Sequence, residues 1–319
     1  MKSLLLSASA LIAASFSAAE AASSKRVVFE SGGDRLVGDL YLPDGYEAGD
    51  KLPAVIVTGA WTTVKEQMPA RYAAELADRG FAALAFDFRG WGQSEGAPRQ
   101  YEHPARKTAD IIAAAAFLST RPEVDRDRIG GLGVCASAGY MAGATAASPH
   151  IQSLALVAPW LHNAEIVDAV YGGADGVAGL VAVSRDADAA YAQTGAERMT
   201  LAASSDDPDA VMTQAPYYTE RKRGLIPEYI NQFNLASWEP WLSYDAVTIA
   251  GDLGDTPVQI VHSDAAAIPD GARAFYADLQ GDKSALWLDN VLQFDFYDRD
   301  EPVRQASDAV AAHLERTLK

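Results

Sequence analysis

The chain has 319 residues, enough for one large domain or two small ones, and 49% of them are apolar, so a sizeable core is available. The net charge of −17 argues against nucleic acid and against an anionic membrane surface as partners. Cys135 is the single cysteine, which excludes a disulfide framework and leaves stability to the hydrophobic core.

The chain begins with the pattern of a secretory signal peptide. Lys2 precedes an apolar run at residues 4–18, and Ala19-Glu20-Ala21 has the small-residue spacing of a cleavage site. No later segment is long and apolar enough to suggest a membrane span. We therefore expect residues 1–21 to be removed and the protein to be secreted or periplasmic, with no membrane partner.

Next comes a predicted antiparallel hairpin, in which residues 26–31 and 35–42 alternate apolar and polar positions around Gly32-Gly33-Asp34. From there, apolar strand patterns alternate with helical patterns. The predicted strands are 54–59, 81–86, 129–134 and 153–158, and the helices between them are 64–79, 108–120 and 136–147. This alternation predicts an α/β fold with a mostly parallel sheet and helices on both faces.

The alternation stops between residues 161 and 254. This stretch has helical spacing at 164–170 and 177–193, a glycine-rich stretch at 172–176 that is typical of a turn, and many aromatic residues. It is long for a connection and predicts a helical insertion, serving either as a lid over an apolar pocket or as ordinary packing on the core. The predicted division is a signal peptide at 1–21, a core at 22–160 and 255–319, and a cap at 161–254.

The alternating pattern resumes with strands at 257–262 and 285–288 and helices at 270–279 and 303–318. No cluster of His and Cys has metal-ligand spacing, and no glycine-rich phosphate loop is present in the sequence. We therefore expect no metal and no cofactor.

The stretch around Cys135 predicts a nucleophile elbow, a sharp strand-to-helix turn that lifts one side chain above the sheet. The pattern Gly-x-nucleophile-x-Gly fits in two registers: Gly133 to Ser137 makes Cys135 the nucleophile, and Cys135 to Gly139 makes Ser137 the nucleophile. Cys135 is preferred because it lies six residues after Ile129, the usual distance from the start of the strand. The helix that follows directs its N-terminal amides at a developing oxyanion.

Four motifs carry a family resemblance together with this cysteine elbow. They are Val-Lys-Glu-Gln-Met at 64–68, Phe-Asp-Phe-Arg-Gly-Trp-Gly-Gln-Ser-Glu-Gly at 86–96, Val-His-Ser-Asp at 261–264 and Phe-Asp-Phe-Tyr-Asp at 294–298. The sequence resembles the α/β-hydrolase superfamily, in the bacterial branch similar to dienelactone hydrolases and X-Pro dipeptidyl-peptidase-like hydrolases. The resemblance implies the α/β-hydrolase fold.

The resemblance also implies roles for particular residues. Cys135 matches the nucleophile, the backbone N–H of Ala136 matches one oxyanion donor, and Ala60 or Trp61 matches the second. Asp264 is the carboxylate nearest the position of the family's acid, although the family spacing falls one or two residues later, on alanines.

The sequence departs from the family at the catalytic histidine, because Gln293 stands directly before the Phe-Asp-Phe-Tyr-Asp motif. Glutamine cannot act as a general base at neutral pH. His262, at the end of a strand, and His162, after the sixth strand, are the candidate replacements. The N-terminus of the elbow helix could instead lower the pKa of the thiol.

Two functions follow from these features. The first is an exported hydrolase of esters, lactones, thioesters or activated amides, which takes a small acyl substrate and uses Cys135, Asp264 and His262. The alternative, indicated by Gln293, is an α/β-hydrolase fold that has lost catalysis and binds an apolar ligand beneath its cap. A peptidase has no pocket signature in the sequence.

Overall fold

A computed structural model describes residues 24–319, so the predicted signal peptide lies outside the described residues. Eight strands form one sheet and two short ones form a second. The strands are β1 (Ser24–Ser31), β2 (Asp34–Tyr41), β3 (Leu52–Thr58), β4 (Ala82–Phe86), β5 (Val124–Val134), β6 (Ser153–Val157), β7 (Met199–Thr200), β8 (Phe233–Asn234), β9 (Val258–His262) and β10 (Lys283–Trp287). The order in the large sheet is β1-β2-β4-β3-β5-β6-β9-β10.

The hairpin of β1 and β2 is antiparallel, and β2 joins the rest of the sheet antiparallel to β4. All remaining pairs of the large sheet are parallel. The burial pattern follows from this arrangement: β4 and β6 are buried at every residue, whereas the edge strand β1 alternates exposed and buried positions in its second half. The predicted fold class is therefore confirmed.

Within residues 24–319, ten helices surround and cap the sheet. They are α1 (Met68–Ala77), α2 (Pro104–Ser119), α3 (Ser137–Ala147), α4 (Ala164–Val170), α5 (Gly173–Thr194), α6 (Pro216–Thr219), α7 (Trp238–Leu242), α8 (Pro269–Asp278), α9 (Asp295–Asp298) and α10 (Asp300–Thr317), with 3₁₀ turns at Leu235–Ser237 and Thr248–Leu253. A Cβ added at Gly130 would meet Leu314 of α10, and one added at Gly131 would meet Met141 of α3. Since successive residues of a strand point to opposite faces, α3 and α10 cover opposite faces of the sheet.

The boundaries of several predicted elements differ from those in the structure; strand β5, for example, begins at Val124, five residues before the predicted start. Helix α1 begins at Met68, because residues 64–67 form a turn closed by a Gln67 N–H bond to the Val64 carbonyl of 3.1 Å. Helix α2 begins one turn earlier than predicted, and the His103 ring accepts the Arg106 N–H at its start. The glycine-rich stretch 172–176 is not a separate turn, because helix α5 begins inside it at Gly173.

The segment from 161 to 254 carries α4 to α7 and the two-stranded sheet of β7 and β8. Its aromatic side chains pack against the core at the end of the sheet where the elbow lies, for example Trp241 against Tyr140. Among the described residues, no single helix is long and apolar enough to cross a membrane, while α4 and α5 together pass by length and composition with a 91° bend between them. The domain boundaries placed at 161 and 254 remain a prediction.

Candidate active site

Cys135 occupies the corner between β5 and α3. Its φ angle of 58° lies in the left-handed region, which a residue other than glycine adopts at an energetic cost. The surrounding backbone holds this conformation: the Cys135 N–H donates to the Val157 carbonyl at 3.1 Å, and the Cys135 carbonyl accepts from the Ala138 and Trp160 amides at 3.0 Å each. The local structure is therefore a sharp strand-to-helix turn with cysteine at its corner, which is the geometry of a nucleophile elbow.

The alternative register, with Ser137 as nucleophile, does not fit this geometry. Ser137 is fully buried, and its hydroxyl bonds to the Val134 amide at 3.2 Å and to the Val134 carbonyl at 3.1 Å. The turn is also very tight, because a Cβ on Gly133 would come within 2.7 Å of the Ala138 Cα. Ser137 closes the elbow, and the side chain that the elbow presents to the cavity is Cys135.

Four hydrogen-bonding groups face the Cys135 sulfur. They are the backbone amides of Trp61 and Ala136, the hydroxyl of Tyr297 and the side chain of Gln293. Burial raises the pKa of the Cys135 thiol, and these groups lower it in part by favouring the thiolate. The net shift is upward, so the protonated thiol predominates at neutral pH.

The loop after β3 was expected to supply an oxyanion donor from Ala60 or Trp61. The Ala60 N–H donates to the Met68 sulfur at 3.3 Å, while the Trp61 N–H faces the Cys135 sulfur. The arrangement leaves two amides beside the Cys135 sulfur, one from Trp61 and one from Ala136 at the start of helix α3.

Gln293 lies beside the thiol and is fixed on three sides. Its Oε1 accepts the Ala267 N–H at 3.0 Å, and its Nε2 donates to the Ala158 carbonyl at 2.9 Å and to the Tyr297 hydroxyl at 3.0 Å. Because the Tyr297 oxygen accepts from Gln293, its own proton is free to point at the sulfur. Burial raises the pKa of Tyr297 well above its ordinary value, so this hydroxyl stays protonated.

The proposed acid and base of a conventional triad are not assembled at the thiol. The Asp264 side chain is 68% exposed, bonds to Arg273 at 2.6 Å and accepts from the Trp287 indole at 2.8 Å. His262 is fully buried, and neither of its ring nitrogens has a hydrogen-bond partner among residues 24–319. Burial lowers the pKa of His262 to about 4. Neither Asp264 nor His262 therefore forms a hydrogen bond with Cys135.

His162, the other candidate base, is held by its neighbours. Its Nδ1 accepts from the Trp160 indole at 3.0 Å, and its Nε2 lies 3.0 Å from the Trp241 carbonyl, which fits a neutral ring with the proton on Nε2. Burial lowers the pKa of His162 to about 4. Both ring nitrogens are engaged away from the sulfur, so His162 has a structural position beneath the cap.

A cavity of about 900 Å³ lies above the thiol. Its wall is mostly aromatic and aliphatic, and Asp209 is the one carboxylate among the lining residues of the described chain. The aromatic lining residues are Trp61, Trp160, Tyr171, Tyr218, Trp238, Trp241, Phe294 and Tyr297. A cavity of this size and lining suits an apolar small molecule.

Two residues of the site were not singled out from the sequence. Tyr297 lies within the Phe-Asp-Phe-Tyr-Asp motif, four residues after Gln293 and one helical turn away, so the motif carried a signal for it. Tyr218 lines the cavity and its hydroxyl donates to the Trp61 carbonyl at 3.0 Å. It comes from α6 in the cap, and no local pattern indicated that contact.

Comparisons with known proteins show the family of this chain. The chain matches the model of the X-Pro dipeptidyl-peptidase (S15) family over residues 32–290. It is 29% identical over 297 residues to the protein YcjY of Escherichia coli (strain K12), covering 88% of this chain and 93% of that protein. It is 34% identical over 128 residues to the thiohydrolase aneE of Aspergillus aculeatus, which covers 40% of this chain and 38% of that one.

Among solved structures, the hypothetical protein PA2218 of Pseudomonas aeruginosa superposes with a TM-score of 0.83 at 24% identity, covering 99% of this chain and 100% of that one. This likeness concerns the fold. The family model spans most of the chain, and together with the elbow and the sheet order it leads to one conclusion: the protein belongs to the X-Pro dipeptidyl-peptidase (S15) family and is a hydrolase of the α/β-hydrolase type.

Proposed function

We propose that this protein is an exported acyl hydrolase that cleaves thioesters, or comparably activated esters, of apolar and aromatic acyl groups with Cys135 as the nucleophile. One observation carries the proposal: the sulfur of Cys135 lies at an apolar cavity and faces the two backbone amides of Trp61 and Ala136. This is the arrangement that acyl transfer requires, because negative charge develops on the carbonyl oxygen.

In the first step the sulfur attacks the carbonyl carbon, and the oxygen becomes negative in the tetrahedral intermediate. The amides of Trp61 and Ala136 are positioned to donate to that oxygen. Each such donor is worth roughly 3–4 kcal/mol of barrier. The carbon–sulfur bond of the substrate then breaks, which leaves the acyl group on Cys135 and releases a thiol.

The choice of a thioester follows from the missing base. Burial keeps the thiol protonated, and no histidine or carboxylate that the structure describes contacts the sulfur. The missing histidine would also protonate the leaving group, and a thiolate departs without that proton more readily than an alkoxide does. Tyr297 can pass its proton to the departing sulfur while it takes the proton of the Cys135 thiol, so the protein ends neutral.

Water then resolves the acyl-enzyme to the free acid, and its proton returns to the sulfur of Cys135. The matching thiohydrolase of Aspergillus aculeatus supports this substrate class. The aromatic cavity supports a flat or apolar acyl group, and Asp209 in its wall disfavours an acyl group that carries a negative charge near that carboxylate.

Export is part of the proposal and is supported by the signal-peptide pattern at residues 1–21. A lone thiol in an oxidising compartment is at risk, and Cys135 is buried beneath the cap, 6% exposed, where oxidants have limited access.

A second candidate function is supported by Gln293. Because its amide is fixed by Ala267 and Ala158, it stabilises the cavity without supplying a base. The protein would then bind apolar acyl compounds without turning them over.

The test is hydrolysis of benzoyl and phenylacetyl thioesters by the mature protein, beside Cys135→Ala and Cys135→Ser. We expect turnover by the wild type and a loss of at least 100-fold in Cys135→Ala, with the melting temperatures of the variants showing that they remain folded. Equal rates for the wild type and Cys135→Ala would contradict the proposal. Equal inactivity, with the melting temperature raised by the acyl compounds, would support the binding protein.

A further inference from the structure

We propose that Glu102 is a positioning residue that aligns the two oxyanion amides, by joining the loop of Trp61 to the elbow helix α3. The proposal rests on the proposed function, because it concerns the same two amides. Its structural basis is a single buried carboxylate that bonds to both of the elements that carry them.

The two oxygens of Glu102 reach different elements. Oε2 accepts the backbone N–H of Thr62 at 3.2 Å, directly after Trp61 in the chain. Oε1 accepts the hydroxyl of Tyr140 at 2.8 Å, and Tyr140 lies in the first turn of α3, just after Ala136. The Glu102 side chain is fully buried, so water does not compete for either contact. The carboxylate thus sets the separation between the Trp61 loop and the elbow.

The peptide unit between Trp61 and Thr62 is held at both ends. Its N–H donates to Glu102, and its carbonyl accepts from the hydroxyl of Tyr218 at 3.0 Å. Thr62 has a φ of 63°, a conformation that costs energy for a threonine and needs surrounding contacts to persist. Without the Glu102 contact this peptide is held only at its carbonyl, by Tyr218, so we expect the loop to shift and the neighbouring Trp61 N–H to lose its alignment with Cys135.

The charge on Glu102 is balanced by Lys107, whose Nζ lies 2.6 Å from Oε1 and is 3% exposed. The ammonium group is otherwise surrounded by aromatic faces, with the Phe88 and Trp91 rings 4.7 and 4.6 Å away. Burying the Glu102–Lys107 pair costs desolvation energy, which the attraction between the charges offsets only in good geometry. A buried ion pair therefore contributes little to the stability of the fold by itself. Its position between the two amide-bearing elements fits a role in fixing their geometry.

Glu102 also reaches the cap. Its backbone N–H donates to the Ser237 hydroxyl at 2.9 Å, in the 3₁₀ turn that precedes α7. The oxyanion loop, the elbow helix and the cap therefore meet at this one residue.

The test distinguishes the loss of the hydrogen-bond acceptor of Glu102 from the loss of its charge. Glu102→Leu with Lys107→Met removes both, whereas Glu102→Gln with Lys107→Met removes the charges and keeps an acceptor for Thr62. We expect kcat to fall about 100-fold in the leucine pair, with KM within about threefold of the wild type, since the effect of one oxyanion donor appears in kcat. The glutamine pair should restore kcat to within about fivefold of the wild type.

A matched control is available on the same helix, α2. Asp110 is fully buried and pairs with Arg89 at 2.7 Å, and its hydrogen bonds go to Arg89 and Ser31, outside the Trp61 loop and α3. Asp110→Asn should lower the melting temperature and leave kcat unchanged. If the leucine pair does not fold, Glu102→Asp keeps the charge and the Lys107 partner but cannot span both contacts, and kcat should fall about 10-fold.

A second readout needs no turnover. Cys135 is the single thiol, so its rate of alkylation by iodoacetamide against pH reports its pKa, and the leucine pair should raise that pKa as the Trp61 amide turns away. A raised thiol pKa in the leucine pair, with an inactive wild type, would contradict the proposed function and keep the role of Glu102. Wild-type kcat and wild-type thiol pKa in both a folded leucine pair and Glu102→Asp would overturn the role of Glu102.

Discussion

Replacing Gln293 by histidine tests whether a missing base limits this enzyme. An imidazole at this position can donate one N–H to the Ala158 carbonyl and turn its other nitrogen toward the Cys135 sulfur. Proton transfer by a positioned base contributes roughly 10²–10⁴ in rate. The lower end applies here, because Asp264 is bonded to Arg273 and does not orient the new ring. We expect kcat/KM for a benzoyl thioester to rise about 100-fold.

The same substitution carries a cost in stability. Gln293 makes three hydrogen bonds and an imidazole facing the sulfur keeps fewer, so the Ala267 N–H loses its partner. An unsatisfied buried amide costs about 1–3 kcal/mol, and the half-buried Ala267 at the cavity wall should cost the lower end of that range. For a protein of this size the melting temperature falls by roughly 2–4 °C per kcal/mol. Gln293→His should therefore be faster and less stable than the wild type.

The pH profile distinguishes a true base from a change in shape. A histidine base acts in its neutral form, so the activity of Gln293→His should rise with pH through the ordinary imidazole pKa of about 6.5, or lower if burial shifts it. The wild type has no histidine beside the sulfur, so its activity should show no such rise near pH 6.5. Gln293→Met, of similar size and without a base, is the control and should be no faster than the wild type. A Gln293→His variant that is folded and no faster would refute the reasoning.

Three further outcomes follow from the charges at the site. Since burial raises the pKa of the Cys135 thiol above its ordinary value, less than about 3% of the thiol is ionised at pH 7. Alkylation of Cys135 should therefore be slow, and its rate should rise about tenfold per pH unit up to pH 8. A fast rate that does not depend on pH would show that the thiolate is already formed. Asp264→Asn should keep kcat within about twofold of the wild type, because the Asp264 carboxylate is exposed and bonded to Arg273. A 100-fold loss of kcat would show that Asp264 takes part in catalysis. His262 is neutral when folded, with a pKa of about 4, and is charged when unfolded below pH 6.5, so it costs stability as the pH falls from 6.5 to 4. His262→Leu should remove up to about 3 kcal/mol of that loss in urea unfolding, and an unchanged pH dependence would contradict the burial argument.

The fold could be predicted from the sequence because its strongest signals are local. Apolar runs such as β4, and β6 after Ser153, specify buried strands, and the helices between them follow from their spacing. The elbow at Cys135 was predictable for the same reason, since its glycines and the small residues of α3 are contiguous. The start of α1 was missed because Gln67 closes a turn that has helix-like spacing.

The surroundings of the thiol depend on contacts between distant residues, and the sequence indicated them poorly. Asp264 follows the expected strand, yet the nearby Arg273 and the Trp287 indole hold its side chain in solvent. His162 follows β6 as expected, but an indole and a carbonyl occupy both nitrogens. The link from Glu102 to Thr62 joins residues 40 apart and has no sequence signature.

The most direct test of the central claim is the mass of the intact protein during reaction with a benzoyl thioester. Mixing followed by acid quenching should show one acyl group on the wild type, located on Cys135 by peptide mapping, and none on Cys135→Ala. Hydrolysis by the wild type with no acyl group on Cys135 at any time, and with the same rate in Cys135→Ala, would contradict the account.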